Sequence, residues 1–183
     1  ELMNSGVVGD PVSVQAIEAV SYWHQPHSFV RGNWRNSDET SPMILQKCCH
    51  DFDILFWLLD KKCKKVSSFG DLHLFKEENA PEGAPMRCLD GCPHSETCPY
   101  YAPRYYVAQL RGGNTGWPMN VLNSHPTEEN IMEELKTGPY GRCVYHCDNN
   151  VVDHQVVNMQ MEDGSTIDFT MCAFTKDSYR KLR

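Results

Sequence analysis

The sequence of 183 residues has no long apolar run, no basic excess and no glycine-rich nucleotide motif, and each absence argues against a class of protein. The longest apolar stretch, around 54–59, is far shorter than the ~20 residues that a transmembrane helix needs, so we expect no membrane association. The formal net charge of −7 argues against a nucleic-acid partner, because phosphate binding needs a basic surface. No GxGxxG motif follows a strand, so we expect no dinucleotide-binding site within these residues.

The two ends and the cysteine content indicate a fragment of a cytoplasmic protein. The first residues do not include Met at position 1, have no signal-peptide pattern, and the sequence stops directly after a strand-like run. The odd number of cysteines, 9, cannot all pair within one chain, and Cys48 and Cys49 are adjacent in an apolar helical pattern that is typical of reduced, buried thiols. We therefore expect a reducing compartment, with a secreted disulfide-bonded protein as the alternative.

Hydrophobic periodicity predicts interleaved strands and helices. One long helix should run from Ser41, as N-cap, to near Asp60, with Pro42 at its first position. Thr127 should cap a second helix, but its capping box is expected to be incomplete because Asn130 replaces the usual Glu or Gln. The clearest hairpin has a predicted two-residue primed turn at 163–164. The other expected elements are strands over 12–23, 65–75, 151–162 and 165–174, and helices over 102–109 and 127–136.

Residues 76–101 follow neither a helical nor a strand period. They contain four prolines, two glycines and three cysteines, which predicts an insertion loop. Because the rest of the chain does not repeat a tight βαβ unit, we predict one α+β domain over 1–183. Its mostly antiparallel open sheet should have helices packed on one face.

The first candidate site lies on the predicted long helix. Gln46, His50 and Asp53 are spaced by four and three residues and would share one helical face, with Lys47 at its border. A histidine near a lysine and a carboxylate can move a proton or bind a hydroxylated ligand. The alternative is the ordinary polar face of an amphipathic helix.

A second candidate group is suited to a sugar or polyol. A tryptophan can stack on a sugar ring, and an arginine can hold a carboxylate or a phosphate. The alternative is a surface loop anchored by its tryptophan. The candidates are His24, His27, Arg31, Asn33 and Trp34, with His154 on a later strand as a further residue.

A third candidate is a metal site in the insertion loop. Cys88, Cys92 and Cys98 are separated by three and five residues, and zinc could bind their thiolates and stabilise an irregular loop. An iron–sulfur cluster would also need a fourth ligand. Three free thiols or a disulfide are the alternatives. The candidates for the fourth ligand are His94, Cys143 and Cys147.

Taken together, these segments resemble the C-terminal domain of the Gfo/Idh/MocA oxidoreductases. Residues 44–58 look like that family's Leu-x-Asp-x-Gly-x-His-x-x-Asp-x-x-x-x-Leu helix, and 6–12 look like the usual entry into the domain. Segments 28–35, 98–100 and 138–142 match a subset of the family. The resemblance implies an N-terminal Rossmann domain, absent from this sequence, that binds NAD or NADP and carries a Glu-Lys-Pro motif. It also implies homodimer or homotetramer contacts through the sheet face.

The same resemblance implies hydride transfer between a nicotinamide and a secondary alcohol of a sugar or cyclitol. His50 falls on the motif's histidine and would contact the reacting hydroxyl, together with Lys47, while Asp53 falls on the supporting aspartate. Gln46 replaces an aspartate and Cys48 a glycine, so the usual proton-transfer residues are not all present. Without its Rossmann domain the chain should be inactive. The alternative function is a non-catalytic, metal-stabilised binding or assembly module.

Overall fold

The computed structural model describes residue 3 and residues 5–183, which form two compact units. The sheet unit contains the residues up to Tyr22, Ser41–His73 and Val152–Arg183. The helical unit contains Trp23–Thr40 and Leu74–Val151. Each unit has its own buried core.

The sheet unit contains one mixed five-stranded sheet. Its strands are β1 (Ser13–Ser21), β2 (Cys63–Asp71), β3 (His154–Met161), β4 (Thr166–Thr175) and β5 (Tyr179–Leu182), in the order β2-β3-β4-β1-β5. Only the β1–β4 pair is parallel, and the β2–β3, β3–β4 and β1–β5 pairs are antiparallel. This arrangement confirms the predicted α+β fold with a mostly antiparallel open sheet.

The β3–β4 hairpin has the predicted register but a different turn. Val157 lies opposite Phe169 and Met159 opposite Ile167, as the apolar alternation predicted. Met161 N–H donates to Ser165 O at 2.8 Å, which leaves a three-residue loop. Only Gly164 of this loop has a positive φ, of 90°. The two-residue primed turn was therefore wrong, because a type I turn followed by a left-handed glycine closes the hairpin.

The predicted long helix is two helices, α1 (Met43–Gln46) and α2 (Cys49–Leu59), separated by Lys47 and Cys48. Pro42 is itself the N-cap of α1 and no side chain caps it, so the prediction of Ser41 as N-cap was wrong. α2 packs on one face of the sheet, where the ring centroids of Phe52 and Phe169 are 4.7 Å apart. The opposite face is exposed, and β2 is exposed along its whole length.

The helical unit contains the π-helical segment Pro26–Arg31, followed by α3 (Ala102–Arg111), α4 (Met119–Leu122) and α5 (Glu128–Thr137). Short 3-10 turns lie at Glu77–Asn79 and Pro139–Gly141. Tyr106, Ile131 and Leu135 are fully buried in its core. Within the segment predicted as an insertion loop, 76–101, the structure has only the 3-10 turn at Glu77–Asn79 and one bridge between Arg87 and Arg142.

The N-terminus of α5 has a complete capping box. Thr127 Oγ1 accepts from Asn130 N–H at 3.2 Å, and the Asn130 side chain accepts from Thr127 N–H at 2.8 Å. The expectation of an incomplete box was wrong, because the Asn carbonyl oxygen reaches the same N–H that Glu or Gln usually serves. Among the described residues, no helix combines the length and the apolar character needed to cross a bilayer.

Candidate functional site

The exposed face of α2 carries His50 together with residues that the sequence alone did not single out. His50, Asp53, Ile54 and Trp57 follow one another at spacings of three, one and three, so they share this face. Trp57 is 78% exposed and Ile54 40%. Within the described residues, the side chains of His50 and Asp53 make no hydrogen bond and no ion pair. Trp57 follows His50 by seven residues, or two helical turns, so the spacing alone could have placed it on the face of His50. It does not belong to the buried face formed by Asp51, Leu55 and Leu59.

Gln46 and Lys47 do not share this face, because the chain leaves the helix between them and His50. The Gln46 side-chain amide donates to Ser41 O, and Lys47 Nζ lies 2.7 Å from Glu18 Oε1. The predicted single face of Gln46, His50 and Asp53 was therefore wrong, since it assumed one continuous helix. Only His50 and Asp53 remain together.

The Lys47 ammonium belongs to a network of charges at the start of α2. Arg180 Nε is 3.0 Å from Glu18 Oε2 and 2.7 Å from Asp51 Oδ1. Glu18 is 1% exposed, and burial raises its pKa more than the contact with Lys47 lowers it. Burial, and then the nearby Asp51 and Glu18, raises the pKa of the Cys48 thiol to about 12. The network therefore holds the first turn of α2 in position. The thiol of Cys48, the N-cap residue of this helix, is unreactive.

His154 lies on the other face of the sheet from α2. Its Nδ1 donates to Asp153 Oδ1 at 2.9 Å, and the second oxygen of the buried Asp153 accepts from His73 N–H at 2.9 Å. Val157 faces the helix, so strand alternation places His154 on the open face. The structure does not bring His154 to the face that carries His50.

In the helical unit, His27 is a core residue. It is 2% exposed, its Nδ1 lies 2.8 Å from the Tyr106 hydroxyl, and its ring stacks on Tyr140 at 4.9 Å. Burial, together with the charges of His24 and Arg31, lowers its pKa to about 4. His27 is therefore neutral at physiological pH.

The other residues of the predicted sugar-binding group have different environments. The His24 ring contacts Trp23 and Trp117 at 5.6 and 5.0 Å. Trp34 is 48% exposed, and Asn33 beside it is also exposed. These three residues keep surface available to a ligand, whereas His27 does not.

Arg31 is buried and contacts the insertion loop. Its Nε donates to Arg142 O at 2.7 Å, and its Nη2 donates to Tyr100 O at 2.7 Å. Nη2 also lies 3.6 Å from Cys88 Sγ. These donors are therefore directed at protein atoms.

One cavity of the helical unit collects the cysteines of the insertion loop. Its lining includes Cys88, Cys92, Cys98 and Cys143, and also His94. His94 Nε2 lies 2.8 Å from Glu82 O. The described residues contain no group of three or more His, Cys, Asp or Glu side chains placed to hold a single metal ion.

The family comparison gives one match that spans almost the whole chain. The model described as the oxidoreductase family, C-terminal alpha/beta domain (GFO_IDH_MocA_C), matches residues 1–181. Comparison with curated proteins returns no match.

Solved structures also resemble the chain. The apo scyllo-inositol dehydrogenase from Lactobacillus casei is 12% identical, with a TM-score of 0.48, and the match covers 99% of this chain and 31% of that one. The same enzyme with bound NAD(H) and scyllo-inositol is 14% identical, with a TM-score of 0.45, over 98% of this chain and 36% of that one. The chain thus spans about a third of the length of these structures.

Proposed function

The chain belongs to the Gfo/Idh/MocA oxidoreductase family through its C-terminal α/β domain, and from this premise we propose that it is the substrate-side domain of a dehydrogenase. The substrate class is a sugar or cyclitol with a secondary alcohol, and the cofactor is NAD or NADP on a separate Rossmann domain. The cofactor accepts or returns hydride when bound. The chain alone is inactive in this proposal.

The observation that carries the proposal is the exposed face of α2. An imidazole and a carboxylate without partners among the described residues stand beside two exposed apolar side chains, Ile54 and Trp57. An apolar surface with a few polar groups is the usual composition of a ligand site or a domain contact. This face therefore suits a substrate that is enclosed between this domain and the cofactor-binding domain.

In this proposal His50 contacts the reacting hydroxyl and exchanges its proton, while Asp53 holds the substrate or the imidazole in place. Lys47 acts on this site only through the position of α2, because its ammonium is held by Glu18. His24, Asn33 and Trp34 lie in the helical unit and are proposed as sugar contacts of that unit taken by itself.

The open face of the sheet is the proposed surface for a homodimer or homotetramer. Phe69 lies opposite Val156, which lies opposite Thr170, which lies opposite Ile17, so these side chains form one row across four strands. Phe69 is 70% exposed, Val156 39% and Ile17 37%. A second copy of the chain could bury such an exposed apolar row on an open sheet.

The test uses the complete polypeptide with its proposed Rossmann domain and a panel of sugars and cyclitols, with NAD and NADP. We expect His50→Ala to lower kcat/KM by about 10²- to 10⁴-fold, the usual contribution of a general acid–base group. His125→Ala changes an exposed histidine of the helical unit and serves as the matched control. Normal kcat/KM in His50→Ala would refute the assignment.

The alternative function is a non-catalytic binding or assembly module that a metal stabilises. The four cysteines around one cavity favour it. The complete polypeptide would then show no NAD(P)-dependent turnover on the panel, whereas the loss of bound metal would unfold the helical unit.

A further inference from the structure

We propose that Cys88, Cys92, Cys98 and Cys143 ligate an iron–sulfur cluster in the helical unit. The four thiols line one cavity, although Cys143 is separated from the others by 45 residues or more of the printed sequence. Four cysteine thiolates are the usual complete ligand set of such a cluster. The inference is independent of the dehydrogenase proposal, because it concerns neither His50 nor the sheet unit.

A short antiparallel bridge brings the fourth cysteine to the loop. Cys88 N–H donates to Gly141 O and Cys143 N–H donates to Met86 O, both at 2.9 Å, on either side of the bridge between Arg87 and Arg142. Residues next to a bridged pair point to the face opposite that pair. Cys88 and Cys143 are therefore diagonal neighbours on one face, where side chains lie within about 8 Å of each other.

Arg31 supplies the argument from charge. Its side chain is 3% exposed, and its guanidinium bonds to two carbonyl oxygens and lies beside the Cys88 sulfur. In the described part of the chain it has no carboxylate partner. A buried cation without a counter-charge is costly. Thiolates bound to iron and sulfide would place net negative charge next to Arg31.

The arrangement of the thiols favours a cluster over one zinc ion. Zinc holds four sulfurs at about 2.3 Å, so the sulfurs must converge on one point, and no three candidate ligands among the described residues do so. A cluster of several irons spreads its thiolates around a larger body.

Cys143 is a better fourth ligand than His94. Cys143 is 9% exposed and lies on the same face of the bridge as Cys88. His94 has one ring nitrogen on the carbonyl oxygen of Glu82. Replacing Cys143 and His94 one at a time shows which of them is the fourth ligand.

The first experiment measures iron, zinc and acid-labile sulfide in the protein after anaerobic purification and after reconstitution with ferrous iron and sulfide. We expect roughly four irons and four sulfides per chain, with visible absorption that dithionite bleaches. One equivalent of zinc without sulfide would overturn the cluster. The absence of both metals after reconstitution would overturn the site, whatever the variants do.

The second experiment compares three variants. Cys143→Ala is expected to lower bound iron by about tenfold or more, because it removes a direct ligand. His94→Gln should retain iron, and Cys63→Ala, which removes an exposed thiol from β2, is the matched control. Wild-type iron content in Cys143→Ala, or loss of iron only in His94→Gln, would overturn the proposed ligand set.

Discussion

The charge network at the start of α2 allows a quantitative test with Lys47→Met. This change removes the ammonium 2.7 Å from the buried Glu18 carboxylate and keeps most of the side-chain volume. At an effective dielectric of 20, that contact has a gross Coulomb energy of about 6 kcal/mol. The net loss of stability is smaller than this, because Arg180 remains 3.0 Å from Glu18 and because the Lys47 side chain is 17% exposed to water. We expect the free energy of unfolding of Lys47→Met to be about 3 kcal/mol lower at neutral pH.

The pH dependence of this loss identifies its cause. Burial already raises the folded pKa of Glu18 above 4.5, and the loss of Lys47 raises it further. A raised folded pKa contributes stability that is present below 4.5 and is lost as pH rises through the folded pKa. The deficit of the variant should therefore be largest at neutral pH and shrink as pH falls towards 4.5.

Urea unfolding followed by circular dichroism at several pH values measures this deficit. Lys136→Met is the matched control, because the Lys136–Glu133 pair is 58% and 65% exposed and should contribute less than about 0.5 kcal/mol. A deficit in Lys47→Met that is the same at every pH, or no larger than in the control, would refute the reasoning.

Two further predictions concern the helical unit. The His27 pKa of about 4 lies below its usual 6.5, so His27 contributes stability that is present above 6.5 and is lost as pH falls through 4. His27→Gln should therefore flatten the acid side of the stability profile by about 3 kcal/mol, whereas the same change at the exposed His125 should not. Gly141→Ala would place a Cβ 1.7 Å from a carbonyl oxygen of α5 and should cost about 3 kcal/mol or more in urea unfolding. Gly116→Ala is the control, because the nearest atom to a Cβ there is the side-chain oxygen of Asn114 at 3.7 Å, and equal effects of the two glycine changes would contradict the steric argument.

The sheet shows how much a local pattern predicts. The alternation of Val157 and Met159 against Ile167 and Phe169 predicted the hairpin and its register, because a shift of one residue would expose every apolar side chain. The turn was mispredicted because a glycine suits both kinds of turn. Gly164, with its positive φ, fits a three-residue loop as readily as it would fit a two-residue primed turn. The local sequence pattern thus predicted the pairing of the strands better than it predicted the backbone conformation of the turn.

The α2 face shows what only the tertiary structure decided. Periodicity continued through Lys47 and Cys48, but a buried carboxylate from β1 pairs with Lys47 and the helix is interrupted there. No local pattern could predict this, because Glu18 is 29 residues away in the printed sequence.

The sequence by itself determined the fold class and the irregular backbone of 80–101, which carries three cysteines, since composition and period are local properties. The tertiary structure decided that Arg31 and His27 are buried, and that Cys143 joins the three loop cysteines around one cavity. The physical reason is that burial and the charge balance of a site depend on residues far apart in the chain, which no short pattern contains.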